Sequence, residues 1–140
     1  MILFEFSESI QPELPVDLKL LEAWLMRCAR RHRYEISFVR YYFTDNREIV
    51  QINREVFNRT YPTDVISLYI PIFSQKLNGE IFISIEQVVE NSREYQVEYG
   101  MEFLRVAVHG LLHLCGYDDQ TEEQRLLMRR YEDECLSLFS

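Results

Sequence analysis

The chain lacks the features that mark membrane, secreted and disordered proteins. In its 140 residues, no uninterrupted apolar run approaches the roughly 20 residues that span a bilayer. The first ten residues contain two glutamates and no basic segment, so no signal peptide is expected. Only four glycines and four prolines accompany 47% hydrophobic residues, a composition typical of globular proteins. We therefore expect a single domain over residues 1–140, with no membrane association.

Cysteine is scarce as well. Cys28, Cys115 and Cys135 are odd in number and widely spaced, which disfavours a disulfide framework. Free thiols of this kind are typical of a reducing compartment, so the expected location is the cytoplasm.

Acidic residues outnumber basic ones, and the net charge is −8. Such a chain repels the phosphate backbone and is unsuited to binding nucleic acid over its whole surface. The acidic excess lies entirely after residue 60, because residues 1–60 contain equal numbers of basic and acidic side chains. The segment RCARRHR is a local cluster of arginines, namely Arg27, Arg30, Arg31 and Arg33. It fits either a solvated helix end or a docking patch for phosphate.

The hydrophobic pattern predicts four strands and about five helices. The strands are expected at residues 2–6, 34–43, 63–70 and 79–84, and the helices at 18–31, 47–57, 84–100, from about 101 to 115, and 121–138. A loop with Pro71 and Asn78-Gly79 is expected between the last two strands, and Gly100 is expected to end the third helix. Helices that precede, separate and follow the strands indicate an α+β fold with a mixed sheet.

Two of the three histidines lie four positions apart in the apolar stretch VAVHGLLHLCGYDDQ. On a helix, His109 and His113 share one face, so both imidazoles can reach one metal ion at roughly 2.0–2.1 Å. The alternative is a pair of core histidines that bind backbone groups. In a nearly apolar helix each imidazole would then need its own buried partner, so the pair alone leaves both interpretations open.

The residues after the helix favour the metal. Gly116 is expected to end the helix, and Tyr117 turns the chain so that Asp118 and Asp119 approach the histidine face. Two histidines and one carboxylate leave a fourth position open, as in catalytic zinc sites. Gly110 stands where the HExxH motif of zinc proteases has its glutamate, so a protease of that kind is excluded. A glycine there lets another backbone or the substrate approach the helix closely.

At this point the sequence resembles a known family. HGLLHLCGYDD is similar to the H-G-x-L-H-L-x-G-Y-D-H signature of the YbeY family, bacterial metal-dependent endoribonucleases that mature ribosomal RNA. The segments YPTDVISL (61–68) and GEIFIS (79–84) resemble the family's P-T-D-V-L-S-F and G-D-I-x-I-S strands. Met128 and Glu132 fall where the final helix of the family has a methionine and a glutamate.

The resemblance implies one zinc ion per chain, with another divalent metal as the alternative. In the family, the third metal ligand is usually a histidine ten residues after the first ligand. Asp119 occupies that position here. Aspartate is an acceptable oxygen ligand, and Asp118 matches the aspartate that the family does not use as a ligand. We therefore expect His109, His113 and Asp119 to bind the metal, with Asp118 as the alternative to Asp119.

A second departure concerns the substrate. The family often has an arginine near its K-D-x-P-T-D segment that is thought to hold the RNA phosphate. Phe57 occupies that place here, and Thr60 replaces the aspartate. Arg59 or Arg54 could supply the charge. We expect Arg59 and His113 to be catalytic, and the weak RNA-binding set is Arg27, Arg30, Arg31, Arg54 and Arg59.

The function implied by the resemblance is that of a single-strand-specific, metal-dependent endoribonuclease. It would act in maturation of the 16S rRNA 3′ end and in ribosome quality control, together with the ribosome or small-subunit assembly proteins. Glu80 and Asp64 are candidates for a structural, proton-transfer or ligand-supporting role. The main alternative is a ribosome-assembly factor whose metal site is mainly structural. A metal-dependent hydrolase of a non-RNA ester is a further alternative.

Overall fold

The computed structural model describes residues 1–59, 63–70 and 76–139. Within these ranges the chain forms four strands and five helices, and the last three helices follow the last strand. Their bounds are β1 Ile2–Phe6, α1 Leu18–Arg31, β2 Glu35–Thr44, α2 Asn46–Phe57, β3 Val65–Tyr69, β4 Lys76–Ser84, α3 Ile85–Glu94, α4 Tyr99–Leu114 and α5 Glu122–Leu136. The predicted α+β class is confirmed. None of the helices in the described ranges has both the length and the apolar character to cross a bilayer.

The sheet is mixed, as predicted. Its strand order is β1-β2-β4-β3, with β1 and β4 both parallel to β2. Strand β3 lies at the edge and runs antiparallel to β4. The parallel pairs require crossover connections, which α1 and the segment from α2 to β3 supply.

Helix α4 is the central helix, and most of its residues are buried. Tyr41 of β2 donates a hydrogen bond from its hydroxyl to the carbonyl of Ala107, at 2.8 Å. A Cβ atom at Gly110 would lie 2.7 Å from the Cγ2 of Ile81 and 3.1 Å from that of Val65. The glycine therefore lets the sheet approach the helix, and Ser67 of β3 donates to the Gly110 carbonyl at 2.9 Å.

The structure corrects the turn predicted at Asn78-Gly79. Both residues belong to β4, where Gly79 pairs with Val39 on one side and Tyr69 on the other. A Cβ atom at Gly79 would lie 2.7 Å from the Leu68 carbonyl, so this glycine serves close strand packing. Pro71, the other residue of the predicted loop, lies outside the described residues.

The predicted end of the third helix at Gly100 is also wrong. Helix α3 ends at Glu94, because Gln96 adopts a φ of +55° and the amide of Val97 returns to the Ser92 carbonyl. Gly100 instead lies in the first turn of α4. At the last helix, Thr121 and Gln124 form a capping box, and α5 ends at Leu136 rather than at residue 138.

The three cysteines are buried and are not joined in disulfides. Cys28 and Cys135 form a thiol–thiol hydrogen bond, and this bond together with burial raises the pKa of Cys28. The indole of Trp24 donates to the Cys135 carbonyl at 2.7 Å, which ties α1 to the end of α5. These groups belong to the packing between helices.

Candidate metal centre

Helix α4 places the two predicted histidines side by side at its C-terminal end. Their Nε2 atoms are 3.0 Å apart, and the two rings are nearly perpendicular, at 81°. Each side chain is about a quarter exposed. The four-residue spacing thus gives two imidazole nitrogens that point to one position at the protein surface.

The turn after α4 brings a carboxylate to the same position. The helix closes at Cys115, and Gly116 adopts a φ of +100°, a conformation that favours glycine. The Oδ2 atom of Asp119 then lies 3.3 Å from the Nε2 atoms of both His109 and His113. Asp118 is used differently, because its Oδ1 accepts a hydrogen bond from the Asp119 amide at 2.8 Å.

These three atoms fit a metal ion. Among the described residues, His109, His113 and Asp119 form the one group of three or more His, Cys, Asp or Glu side chains arranged to hold a metal. A tetrahedral zinc ion with ligands at about 2.0–2.1 Å needs ligand atoms about 3.3–3.4 Å apart. The observed separations of 3.0 and 3.3 Å come close to this. The structure thus brings together the predicted ligands, whose metal binding stays a prediction.

Glu132 of α5 contacts the second ring nitrogen of His109, the one that does not face His113. Its Oε2 atom is 2.6 Å from Nδ1 of His109, and its side chain is 6% exposed. Arg105 holds the other carboxylate oxygen at 2.9 Å and also binds Asp133 at 2.6 Å. With Nδ1 donating to Glu132, Nε2 of His109 is left as the acceptor that a metal requires. The sequence marked Glu132 only through the family resemblance, and no local spacing connects it with His109.

The negative charges around His109 change its proton affinity. Burial disfavours the charged imidazolium, but the hydrogen bond to Glu132 and the charges of Glu132, Asp119 and Asp64 outweigh this effect. The pKa of His109 is therefore raised above its ordinary value. A cation is favoured at this position, whether it is a proton or a metal ion.

Asp64 lies directly before β3 and lines the cleft together with both histidines. Burial raises the pKa of Asp64, although Asn91 donates a hydrogen bond to its Oδ2 at 3.0 Å. Its proposed role in proton transfer or ligand support stays a prediction. Glu80, the other candidate, forms an ion pair with Arg40 at 2.7 Å. Glu80 is not among the described residues that line the cleft, and its role also stays a prediction.

The three candidate ligands lie in a cleft of about 400 Å³. Its walls come from α2 and the following residues, β3, the end of α4 and the turn after it. The polar and charged lining residues are Asn53, Arg59, Thr63, Asp64, Ser67, His109, His113, Asp118, Asp119 and Gln120.

The predicted arginines are divided between the cleft and the outer surface. Arg59 lines the cleft, and its guanidinium carbon lies 5.5 Å from the ring centre of Phe57. Arg54 is exposed on α2 but does not line the cleft. The neighbouring positions 60–62, with Thr60 of the family comparison, lie outside the described residues.

The arginines at the end of α1 also stay outside the described cleft. Arg27 donates to the Leu138 carbonyl at 3.3 Å, and Arg31 forms an ion pair with Glu134 at 3.4 Å. Arg30 is exposed. Their role in RNA binding stays a prediction, and it would require RNA that extends beyond the cleft.

The fold and this site define a small α+β domain built around one candidate metal centre. The family model described as Endoribonuclease YbeY matches residues 8–140. The chain belongs to the YbeY family, which confirms the resemblance seen in its motifs.

Individual relatives cover nearly the same length. The chain is 35% identical over 136 residues to an Endoribonuclease YbeY of Cytophaga hutchinsonii, covering 97% of this chain and 94% of the relative. It is 42% identical over 101 residues to that of Flavobacterium psychrophilum, covering 72% and 71% of the two chains. The solution structure of TM1509 from Thermotoga maritima is similar, with a TM-score of 0.61 and 26% identity, covering 98% of this chain and 90% of that one.

Proposed function

We propose that the protein is a metal-dependent endoribonuclease that cleaves single-stranded RNA. Its biological substrate would be ribosomal RNA near the 16S 3′ end, with a role in ribosome quality control beside small-subunit assembly proteins in the cytoplasm. The observation that carries this proposal is the convergence of His109, His113 and Asp119 in a cleft that also contains Arg59. The family membership supports the choice of RNA as substrate.

The donor set suits zinc, since it consists of two imidazole nitrogens and one carboxylate oxygen. When bound, zinc supplies a water of lowered pKa and polarises a phosphoryl oxygen. Glu132 fixes the ring orientation and the tautomer of His109. The carboxylate of Asp119 leaves one net positive charge at the site, whereas a third neutral histidine would leave two.

Arg59 has the role of binding the phosphate. It is the one arginine among the described residues that line the cleft, and its guanidinium can neutralise charge that develops on the phosphoryl oxygens. The cleft volume of about 400 Å³ is near the lower end of the range for ligand pockets, roughly 300–1,000 Å³. This size favours one unpaired nucleotide over a duplex and supports the preference for single strands.

The test compares cleavage of one labelled RNA, with the sequence of a 16S 3′ end, as a single strand and as a duplex. We expect the zinc-loaded protein to cleave the single strand, with loss of activity on chelation and recovery on adding zinc. His113→Ala and Arg59→Ala should each lower kcat/KM by at least about 100-fold, as for other groups that stabilise transition-state charge. Arg47→Ala, on the opposite end of α2 from Phe57, is the control and should cleave normally. Absence of cleavage with zinc, manganese and magnesium would contradict the proposal.

A second candidate function is a ribosome-assembly factor with a structural metal. Phe57 lines the cleft where the family often has an arginine, and Asp119 makes the site less electropositive. Under this alternative, chelation would lower the thermal stability while no metal restored RNA cleavage. Thermal unfolding and cleavage measured on the same zinc titration separate the two functions.

A further inference from the structure

A second cavity shares lining residues with the metal cleft but is not lined by Arg59. Its volume is about 430 Å³, and His113 is the one candidate metal ligand among its described lining residues. The cavity, called here the side groove, is lined by Tyr34, Tyr69, Lys76, Leu77, His113, Leu114, Cys115 and Gly116. Tyr69, His113 and Leu114 line both the cleft and the side groove, so the two form one continuous depression.

Tyr69 presents an aromatic ring at the junction. Because strand residues alternate between faces, Tyr69 shares a face of β3 with Val65 and Ser67, which contact α4 at Gly110. Tyr69 lines both cavities together with His113. Tyr69 is 49% exposed even though it is a large aromatic residue at the end of a paired strand. A half-exposed ring beside a reaction centre is suited to stacking with a base.

The charges of the two cavities differ in sign. Three aspartates line the cleft, and a bound metal ion would neutralise part of their charge. No acidic side chain occurs among the described residues of the side groove, and Lys76 is the one lysine or arginine among them. Arg59 and Lys76 thus place one cation in each of the two cavities that His113 lines, although the chain as a whole carries a net charge of −8.

We propose that the side groove binds the nucleotide next to the scissile phosphate, with its base stacked on Tyr69 and its phosphate paired with Lys76. The proposal rests on the proposed function and specifies where the RNA strand runs. The strand passes from Arg59 over the metal ligands to Tyr69 and Lys76. Aromatic stacking combined with one cation per phosphate is the usual way in which proteins hold single strands without reading the sequence.

The test measures binding of a fluorescein-labelled single-stranded RNA by fluorescence anisotropy, with a gel showing that the RNA stays intact during the measurement. Tyr69→Ala should weaken binding by about ten-fold or more, within the range for loss of one base–aromatic stack. Tyr69→Phe should bind like the unaltered chain, since stacking needs the ring and not the hydroxyl. In cleavage assays, Tyr69→Ala should raise KM and change kcat little.

Lys76 gives an independent measurement. Lys76→Ala should reduce the slope of log affinity against log salt by about 0.7, the value for one phosphate contact on a single strand. Lys76→Arg should retain the slope. Lys19→Ala is the matched control, because Lys19 is an exposed lysine on α1 and lines neither cavity. Thermal unfolding of each variant shows whether the fold is preserved.

The outcomes separate this proposal from the proposed function. If Tyr69→Ala and Lys76→Ala bound RNA as tightly as the unaltered chain and cleaved it normally, the proposal for the side groove would be wrong. The proposed function would stand. If Tyr69→Ala and Tyr69→Phe lost RNA affinity equally, stacking on the Tyr69 ring would be excluded as the basis of binding. An unaltered chain that neither binds nor cleaves single-stranded RNA would overturn both proposals.

Discussion

Asp119 is the predicted third metal ligand, at the position where the family resemblance leads us to expect a histidine. Its Oδ2 atom is 3.3 Å from both imidazole nitrogens, whereas the carboxylate of Asp118 accepts a hydrogen bond within the turn. We expect Asp119→Ala to weaken zinc binding by more than about 100-fold, beyond the range for groups that only support a ligand. Asp119→His should retain zinc. Competition against a chromogenic chelator measures both affinities.

Asp118→Ala is the matched control for that experiment. It removes a carboxylate one residue away, and we expect a much smaller loss of affinity because only a hydrogen bond in the turn disappears. If Asp118→Ala lost more zinc than Asp119→Ala, the assignment of the third ligand would be off by one residue.

Glu132 provides a prediction about pH. Zinc must displace the proton of His109, and the pKa of His109 is raised by Glu132 against the opposing effect of burial. As the pH falls, zinc affinity should therefore begin to drop above 6.5, the ordinary pKa of histidine. In Glu132→Gln the decline should begin at lower pH, because the stabilising charge on the imidazolium is gone.

The same variant should bind zinc about 10- to 100-fold more weakly at neutral pH, since the ring loses its fixed orientation. Glu134→Gln, which removes an exposed ion pair with Arg31, is the control and should leave both the affinity and its pH profile unchanged. A pH profile in Glu132→Gln identical to that of the unaltered chain would exclude a direct effect of Glu132 on His109.

At the scale of elements, the contact of α4 with the sheet positions the metal ligands. A methyl group at position 110 would lie 2.7 Å from Ile81 and 3.2 Å from the Ser67 hydroxyl. Gly110→Ala should lower the free energy of unfolding by about 1–3 kcal/mol, the usual cost of overpacking. It should also weaken zinc binding, because the helix that carries both histidines must move. Denaturant unfolding and zinc titration measure the two effects.

Gly100→Ala is the control at the other end of the same helix. The nearest atom to an added Cβ there is the Pro15 Cβ at 3.9 Å, an ordinary contact. We expect a gain of about 0.4–1 kcal/mol, because alanine restricts the unfolded chain more than glycine does. A loss of stability at position 100 as large as that at position 110 would show that close packing is not the cause.

Periodicity predicted the helices and strands well because burial enforces it. The placement of the i,i+4 histidines depends on neighbours in sequence, and the structure shows the expected geometry. The turns were harder. Asn78-Gly79 has turn-like residues but pairs within β4, and Gln96 rather than Gly100 takes the left-handed conformation. In both cases tertiary contacts outweighed local preference.

Local sequence patterns could not predict the contact of Glu132 with His109 or the residues that line the side groove. His109 meets Glu132 because α4 packs against α5, a contact between residues 23 positions apart. Tyr69 and Lys76 come together with His113 only through the pairing of β3 with β4 and the packing of α4 on them. Sequence spacing therefore predicted the two candidate histidine ligands on one helix face, and the family resemblance selected Asp119 from the following turn. Neither predicted the surroundings of these residues.

At the scale of the whole molecule, a net charge of −8 restricts how RNA can bind. The cleft and the side groove offer two cations among their described residues, Arg59 and Lys76, whereas Arg27, Arg30 and Arg31 lie elsewhere at the end of α1. A short RNA that fills only the two cavities should show a log–log salt slope of about −1.4, from about −0.7 for each phosphate contact.

Longer RNA should show a steeper slope if it reaches the arginines at the end of α1. Each arginine that takes a phosphate adds about −0.7, so engagement of all three would bring the slope to about −3.5. Arg27 and Arg31 already bind groups of α5 and the residues after it, and RNA would have to displace these contacts. Arg30→Ala should therefore reduce the slope for long RNA while leaving that for short RNA unchanged. A slope that does not depend on RNA length would confine recognition to the cleft and the side groove, and would remove the end of α1 from the RNA-binding surface.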